Sequence, residues 1–170
     1  MNFNRKRSHA EPNLTLNGRT ILVRDSAKFL GMTFDERLTW KAHIRNLKTE
    51  CIKKLASIQC VSHTNWGADR TMMLRLYRAI VRSKLDYGAI VHASANDKLY
   101  SSLDPVHNRA IRLCTGAFRS SSMQSLYAES GEQPLSSRRM QLLINIIPIF
   151  LNFLENLQHT DVSIESIWVR

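Results

Sequence analysis

The residue types of this chain that could do chemistry at a defined spacing are mostly basic. Arg75, Arg78 and Arg82 recur at intervals of three and four residues, so in a helix their guanidinium groups share one face. Such a face could follow a phosphate backbone, or it could be the solvated side of an ordinary packed helix. If the helix extends four residues further, Asp86 also lies beside Arg82. The spacing alone leaves both interpretations open.

Two further segments carry basic stripes of the same kind. Lys41, Arg45 and Lys48 repeat at steps of four and three, and Arg109 lies three residues before Arg112. Each contact between such a side chain and a phosphate adds salt-dependent affinity with little sequence preference. Basic stripes on three consecutive helices therefore predict binding to nucleic acid.

The sequence does not predict an autonomous active site. Cys60 and His63 have the spacing of half a zinc site, but no second Cys or His pair completes the four ligands. Asp86 is a single carboxylate among basic residues, whereas two-metal chemistry needs several carboxylates on the ions. The adjacent Asp35 and Glu36 indicate a strand-to-helix turn. Neither a Gly-x-Ser-x-Gly elbow nor a glycine-rich phosphate loop is found, so we expect no catalytic residue, metal or cofactor in this segment.

The charge is distributed unevenly along the 170 residues, which carry a net charge of +10. Residues 1–119 hold 21 Lys and Arg against 9 Asp and Glu, a net of +12, and residues 120–170 hold 3 against 5, a net of −2. A hydrophobic content of 44% is that of a globular protein. The excess positive charge of the first 119 residues is typical of a surface that faces a polyanion.

The remaining composition indicates an intracellular protein, in the nucleus or the cytoplasm. Cys51, Cys60 and Cys114 are odd in number and widely spaced, which favours reduced core thiols. The first residues lack the apolar segment of a signal peptide. The apolar run Leu142–Leu154 is too short for a membrane span and contains Pro148. We therefore expect a buried helix there and no membrane partner.

Strand signals fill the first 35 residues. Asn2–Arg7 is one candidate strand, and Leu14–Val23 is predicted to form a hairpin around Asn17-Gly18, which suits a type I′ turn. Lys28–Phe34 is predicted to be one further strand, with Gly31 at a bulge or a close backbone approach.

Helical periodicity begins at Trp40, with Thr39 as a candidate N-cap. A second helix carries Arg75, Arg78 and Arg82, a third contains Pro105 in its first turn and ends at Gly116, and a short one surrounds Leu126. A last helix starts near Ser136 and is expected to kink or end near Pro148, before a frayed tail over 156–170. The fold class is α+β, mainly α: a short antiparallel β segment followed by a helical bundle.

Several segments, in order and at natural spacing, resemble the reverse transcriptases of non-LTR retrotransposons, most closely the Jockey-type elements of arthropods. The likeness covers roughly residues 1 to 145. It is carried by Phe29–Asp35, Leu38–Trp40, His43-Ile44, Ser62–Arg70, Leu76–Gly88, Leu103–His107, Leu113–Arg119 and Pro134–Ser136.

The resemblance implies a piece of an RNA-directed DNA polymerase. Residues 1–38 resemble the end of the palm, with Phe29, Leu30 and Gly31 in the primer grip; residues 39–145 resemble the helical thumb and connection; residues 146–170 form a C-terminal tail. The family's Tyr-x-Asp-Asp turn, whose aspartates serve the Mg²⁺ of the parent polymerase, is absent. Met1 is then expected to be an internal methionine of a longer frame or the start of a truncated copy.

Under this interpretation the partners are the RNA/DNA template–primer duplex and the upstream fingers and palm, and the chain is inactive alone. The main alternative is a domesticated or degenerate helical interaction module that binds protein rather than nucleic acid. A third is an inert product that barely folds, and an independent enzyme is the weakest hypothesis.

Overall fold

The computed structural model describes residues 14–20, 24–62 and 68–165, with side chains up to residue 157. The described part is mainly helical with two antiparallel hairpins, which confirms the predicted fold class. The strands are β1 (Thr15–Leu16), β2 (Arg19–Thr20), β3 (Ser26–Phe29) and β4 (Met32–Asp35). The helices are α1 (Lys41–Val61), α2 (Arg70–Tyr77), α3 (Ser83–Asp86), α4 (Asp97–Ser101), α5 (Asp104–Thr115), α6 (Met123–Ser130) and α7 (Leu135–Glu165), and a π-helical segment, Arg78–Arg82, joins α2 to α3.

The first hairpin forms where the Asn-Gly signal predicts it. Strands β1 and β2 pair antiparallel, with Thr15 opposite Thr20. Asn17 and Gly18 both have positive φ, 51° and 75°, as a type I′ turn requires. Residues 21–23 of the predicted second strand and the candidate strand Asn2–Arg7 lie outside the described residues.

The prediction of a single strand over Lys28–Phe34 is wrong, because this segment is a second hairpin. Strand β3 pairs with β4, with Phe29 opposite Met32. The reversal occurs at Leu30 and Gly31, whose φ values are 46° and 77°. Gly31 is therefore a turn residue rather than a bulge, and leucine is an uncommon occupant of the left-handed region beside it.

Asp35 organises the turn that leads from β4 into α1. Its carboxylate accepts hydrogen bonds from the Thr39 backbone N–H and hydroxyl, both at 2.8 Å, and from the Trp40 N–H at 2.7 Å. Burial opposes ionisation, but these hydrogen bonds hold the pKa of Asp35 below its ordinary value. The predicted strand-to-helix turn is confirmed. Thr39 is not the N-cap, because α1 begins after Trp40, which is left-handed.

The core lies between α1 and the helices that follow it. The predicted apolar face of α1 is buried, and side chains from α2, α5 and the segment between them pack against it. Cys51 and Cys114 are buried there, and burial raises the pKa of each thiol to about 11. Cys60 is exposed, so the prediction of a core thiol is wrong at that position. The six α1 core residues are Trp40, Ile44, Leu47, Cys51, Leu55 and Ile58.

The helix ends around α5 follow the sequence signals. Pro105 lies in the first turn of α5, where its missing N–H is tolerated. Gly116 ends the helix with φ 68°, and α6 buries Leu126. Each of these predictions is confirmed.

Helix α7 differs most from expectation. It continues through Pro148 to Glu165, although a proline inside a helix removes one backbone hydrogen bond. The large apolar residues from Ile144 to Leu157 that we expected to be buried are 39–67% exposed. By length and composition alone, Leu135–Leu157 could cross a membrane, so the argument that the apolar run is too short is wrong. The expected frayed tail is helical to Glu165, and residues 166–170 lie outside the described residues.

Candidate nucleic-acid interface

The basic stripe of α1 points away from the core. Lys41 and Arg45 are exposed and Lys48 is half-buried. Steps of four and three residues carry the same face along the helix to Gln59, whose side-chain oxygen accepts a hydrogen bond from Arg109 Nη2 at 3.2 Å. The stripes of α1 and α5 therefore meet on one surface, called the α1–α5 face below. From Lys41 to Gln59 it is about 27 Å long at 1.5 Å per residue.

An open groove of about 1060 Å³ lies at the α5 end of this face, lined in part by Gln59 and by three arginines. Arg109 and Arg112 come from α5. Arg119 joins them because the chain reverses at Gly116, where the Ala117 N–H donates to the Arg112 carbonyl at 3.1 Å. Among the described residues, no carboxylate lines this groove.

Arg119 was missed by sequence reasoning, although a signal for it was available. Gly116 predicts the end of α5, and a left-handed glycine after a helix turns the chain back along the last turn. A basic residue three positions later is then brought close to Arg112. The stripe argument counted only residues on a single helix and therefore passed over it.

The stripe on α2 and the π-helical segment has a different environment. Arg78 Nε lies 2.7 Å from Glu132 Oε1, and Arg82 Nη1 lies 3.0 Å from both carboxylate oxygens of Glu132. Arg82 Nε is also 3.6 Å from Asp86 Oδ2, which confirms the expected neighbour one helical turn further on. Arg138 Nη2 reaches the same Asp86 oxygen at 3.0 Å.

These ion pairs separate the α2 stripe from the α1–α5 face in character. The guanidinium groups of Arg78 and Arg82 are occupied by carboxylates, which lowers the charge that they present to a phosphate. Arg75 is exposed, and its nearest polar contact is the Met72 sulfur at 4.0 Å. The assignment of these three arginines as nucleic-acid contacts stays a prediction.

The second hairpin presents an apolar tip beside α1. Phe29 and Leu30 are 64% and 67% exposed. The tip is held in place because the Tyr87 hydroxyl donates to the Leu30 carbonyl at 2.7 Å. Gly31 and Tyr87 line one side of a 280 Å³ pocket between the hairpin and α1. The candidate primer-grip residues are therefore fixed at the backbone and open at the side chain.

Histidines contribute little positive charge at neutral pH. His43 Nδ1 accepts from the Thr33 N–H at 3.3 Å, so its proton is on Nε2 in the neutral form. Burial lowers the pKa of His43 and of His107, and it lowers that of His92 to about 4. Within the described ranges, no group of three His, Cys, Asp or Glu side chains could hold a metal ion. The charge of the α1–α5 face is thus carried by lysine and arginine.

Comparison with known proteins places this arrangement in a protein class. The chain is 26% identical over 92 residues to a probable RNA-directed DNA polymerase from transposon X-element, and 26% identical over 106 residues to the RNA-directed DNA polymerase from mobile element jockey, both of Drosophila melanogaster. These matches cover 54% and 62% of the chain. The chain is similar to polymerases of non-LTR retrotransposons.

A third relative extends the similarity over more of the chain. The Pol polyprotein from type-1 retrotransposable element R1 of Bradysia coprophila is 27% identical over 138 residues, which is 81% of this chain and 12% of that protein. The chain spans only 10% and 12% of the X-element and jockey polymerases. No protein-family model matches it, and no solved structure matches it. The resemblance seen in the sequence is confirmed, and it concerns a short segment of much longer polymerases.

Proposed function

We propose that this chain is a segment of an RNA-directed DNA polymerase of a non-LTR retrotransposon that contacts the template–primer duplex. The observation that carries the proposal is the α1–α5 face, because it joins basic residues of two helices on one surface. Without catalytic aspartates the segment is inactive alone, and the Mg²⁺ of the parent polymerase is held elsewhere in that protein.

The dimensions of the α1–α5 face suit a nucleic-acid backbone. Its length of about 27 Å corresponds to about eight phosphates of one strand at 3.4 Å each. The basic residues at its two ends, Lys41 and Arg119, belong to different elements, so the charge follows a line rather than a point. Straight helices that present lysine and arginine in this way bind duplexes through phosphates, with little dependence on sequence.

The β3–β4 tip fits the role of a primer grip. Exposed Phe29 and Leu30 offer apolar surface that the described residues do not cover, and Tyr87 restrains the backbone that carries them. A restrained apolar turn can press on a nucleotide without losing much conformational entropy on binding. The expected partners are therefore the duplex and the fingers and palm of the same polymerase.

The proposal is tested by titrating a fluorescent RNA–DNA duplex with the chain at several salt concentrations. We expect the logarithm of the association constant to fall steeply and linearly with the logarithm of salt. The triple variant Lys41→Gln/Arg45→Gln/Lys48→Gln should bind more weakly, and its slope should be shallower by about two to three, because each lost phosphate contact contributes about 0.9.

The matched control removes the same charge from other exposed positions. Arg19→Gln/Arg75→Gln/Lys98→Gln changes three exposed residues on β2, α2 and α4. We expect this control to retain most of the wild-type slope. Binding that is absent or independent of salt contradicts the proposal, and so does an equal loss in both triple variants.

A protein-binding module is the second candidate function. It is favoured by the exposed apolar surface of α7 between Ile144 and Leu157, because contiguous apolar patches of this size mark interaction sites. A chain that binds a protein partner through α7 and has no affinity for nucleic acid would establish it.

A further inference from the structure

We propose that the groove at the α5 end of the α1–α5 face binds an unpaired nucleotide, with its base stacked on Phe118 and its phosphate among Arg109, Arg112 and Arg119. This inference rests on the proposed function, since it names the form of nucleic acid that one part of the interface takes. It goes further because duplex binding requires phosphate contacts only.

Phe118 is the observation that suggests a base. It is 82% exposed, more than any other large apolar residue of the described chain. Its neighbours Ala117 and Arg119 both line the groove. An isolated exposed phenylalanine would need no explanation, but this one stands at the edge of the basic groove.

The backbone that carries Phe118 is held in place. The Ser121 N–H donates to the Phe118 carbonyl at 3.1 Å and closes a turn. Arg112 Nη2 then donates to the Ser121 carbonyl at 3.4 Å and ties this turn to α5. The ring is thus presented to solvent from a hydrogen-bonded loop. A preorganised aromatic surface loses little entropy when a flat partner stacks on it.

The charges beside the ring indicate an anionic partner. Arg119 is exposed, Arg109 is fixed by Gln59, and Arg112 Nε has no hydrogen-bond partner in the described structure. Because no described carboxylate lines the groove, these guanidinium groups retain their charge for a ligand. An aromatic ring beside three arginines matches a molecule with both a flat face and a phosphate, which is a nucleotide.

The stacking geometry favours an unpaired base over one inside a duplex. Bases within a helix already have both faces covered by their neighbours, so a side-chain ring can stack only on a terminal or single-stranded base. The groove is open along one side and about 1060 Å³ in volume, which leaves room for a nucleotide next to the ring. A single-stranded stretch that adjoins a bound duplex meets both requirements.

The experiment compares two RNA–DNA probes bound by the full chain, a blunt duplex and the same duplex with a single-stranded RNA overhang that contains 2-aminopurine. We expect tighter binding of the overhang probe and quenching of 2-aminopurine fluorescence, since stacking quenches this base. Phe118→Ala should lower the affinity for the overhang probe about five- to hundredfold, with an unchanged affinity for the blunt duplex. Phe118→Trp should retain both the affinity and the quenching.

Met72→Ala is the matched control, because Met72 is an exposed apolar residue of α2 away from the groove, and it should change neither probe. If the wild-type chain binds both probes equally and Phe118→Ala changes neither, this inference is wrong and the proposed function stands. If the wild-type chain binds neither probe, the proposed function fails and the inference fails with it.

Discussion

His92 is buried beneath Trp40 with only 1% of its surface exposed. Its Nδ1 lies 2.6 Å from the Tyr100 hydroxyl, which also donates to the His92 carbonyl. The rings of His92 and His43 are 5.0 Å apart, and the Nε2 atoms of both lack hydrogen-bond partners in the described structure. A second proton on either ring would thus enter an apolar environment beside another histidine, which is costly.

The unfolding free energy should therefore depend on pH below neutrality. The pKa of His92 falls from 6.5 to about 4 on folding, so at pH 5 the unfolded chain binds the proton and the folded chain does not. The stabilisation present at pH 7 is lost progressively as the pH falls from about 6.5 to 4. We expect urea unfolding to give a value lower by about 1–2 kcal/mol at pH 5 than at pH 7.

His92→Gln is the control for this pH dependence. It should be less stable than the wild type at pH 7, because the hydrogen bond to Tyr100 is disturbed, and its loss of stability between pH 7 and pH 5 should be smaller. A pH dependence identical to that of the wild type would show that His92 does not cause it.

At the scale of elements, Glu132 fastens the π-helical segment to the chain between α6 and α7. Its side chain is only 3% exposed and pairs with both Arg78 and Arg82. Glu132→Gln should lower the unfolding free energy by about 1–3 kcal/mol, since a charge-assisted network loses its central acceptor while the arginines can still reach solvent. Thermal or urea unfolding measures the change.

Glu129→Gln is the matched comparison for Glu132→Gln. Glu129 pairs with Arg70 at 2.6 Å, but both side chains are 45% exposed, so its loss should cost less than about 1 kcal/mol. Equal losses in the two variants would mean that burial of Glu132 adds nothing.

Local signals predict most of the helices and one of the hairpins. Repeats of three and four residues mark the buried face of α1, and Pro105 and Gly116 mark the ends of α5, because these signals act within a few residues of the chain. The β3–β4 turn escapes prediction because Leu30 occupies a left-handed position that the sequence pattern associates with Asn, Asp or Gly. A strand pattern without a turn signal cannot reveal the reversal.

The candidate site is harder to predict, because its environment is set by distant residues. The spacing of Arg78 and Arg82 fixes their common face, but the carboxylate that they contact is Glu132, fifty or more residues away. The link from Gln59 to Arg109 is similarly remote in sequence. Periodicity assigns a residue to a face of its own helix, and it cannot identify what that face meets.

At the scale of the whole molecule, the most conspicuous surface is apolar rather than basic. The bundle packs around α1, whereas α7 extends past it with Ile144, Ile147 and Leu151 exposed. A helix that is apolar on most sides is normally covered, by the rest of a larger protein or by a membrane. Periodicity could not distinguish this helix from a core helix, because both are apolar in sequence.

The isolated chain should self-associate through α7. We expect sedimentation velocity to show species that grow with protein concentration, and Ile144→Gln/Ile147→Gln/Leu151→Gln should shift them toward the monomer. The control Val61→Gln/Met72→Gln/Val91→Gln replaces as many exposed apolar residues at scattered positions and should change little. A concentration-independent monomer in the wild type would contradict this expectation.

The π-helical segment Arg78–Arg82 also bears on which changes in chain length this protein tolerates. A π-helical turn holds one residue more than the α-helical turn that it replaces. Deleting a single codon within it would restore a regular helix but rotate everything that follows by about 100°. Leu85 would then leave the core and Asp86 would leave Arg138. Insertions and deletions that look equally mild at the level of the gene would thus have very different consequences here and in the loops.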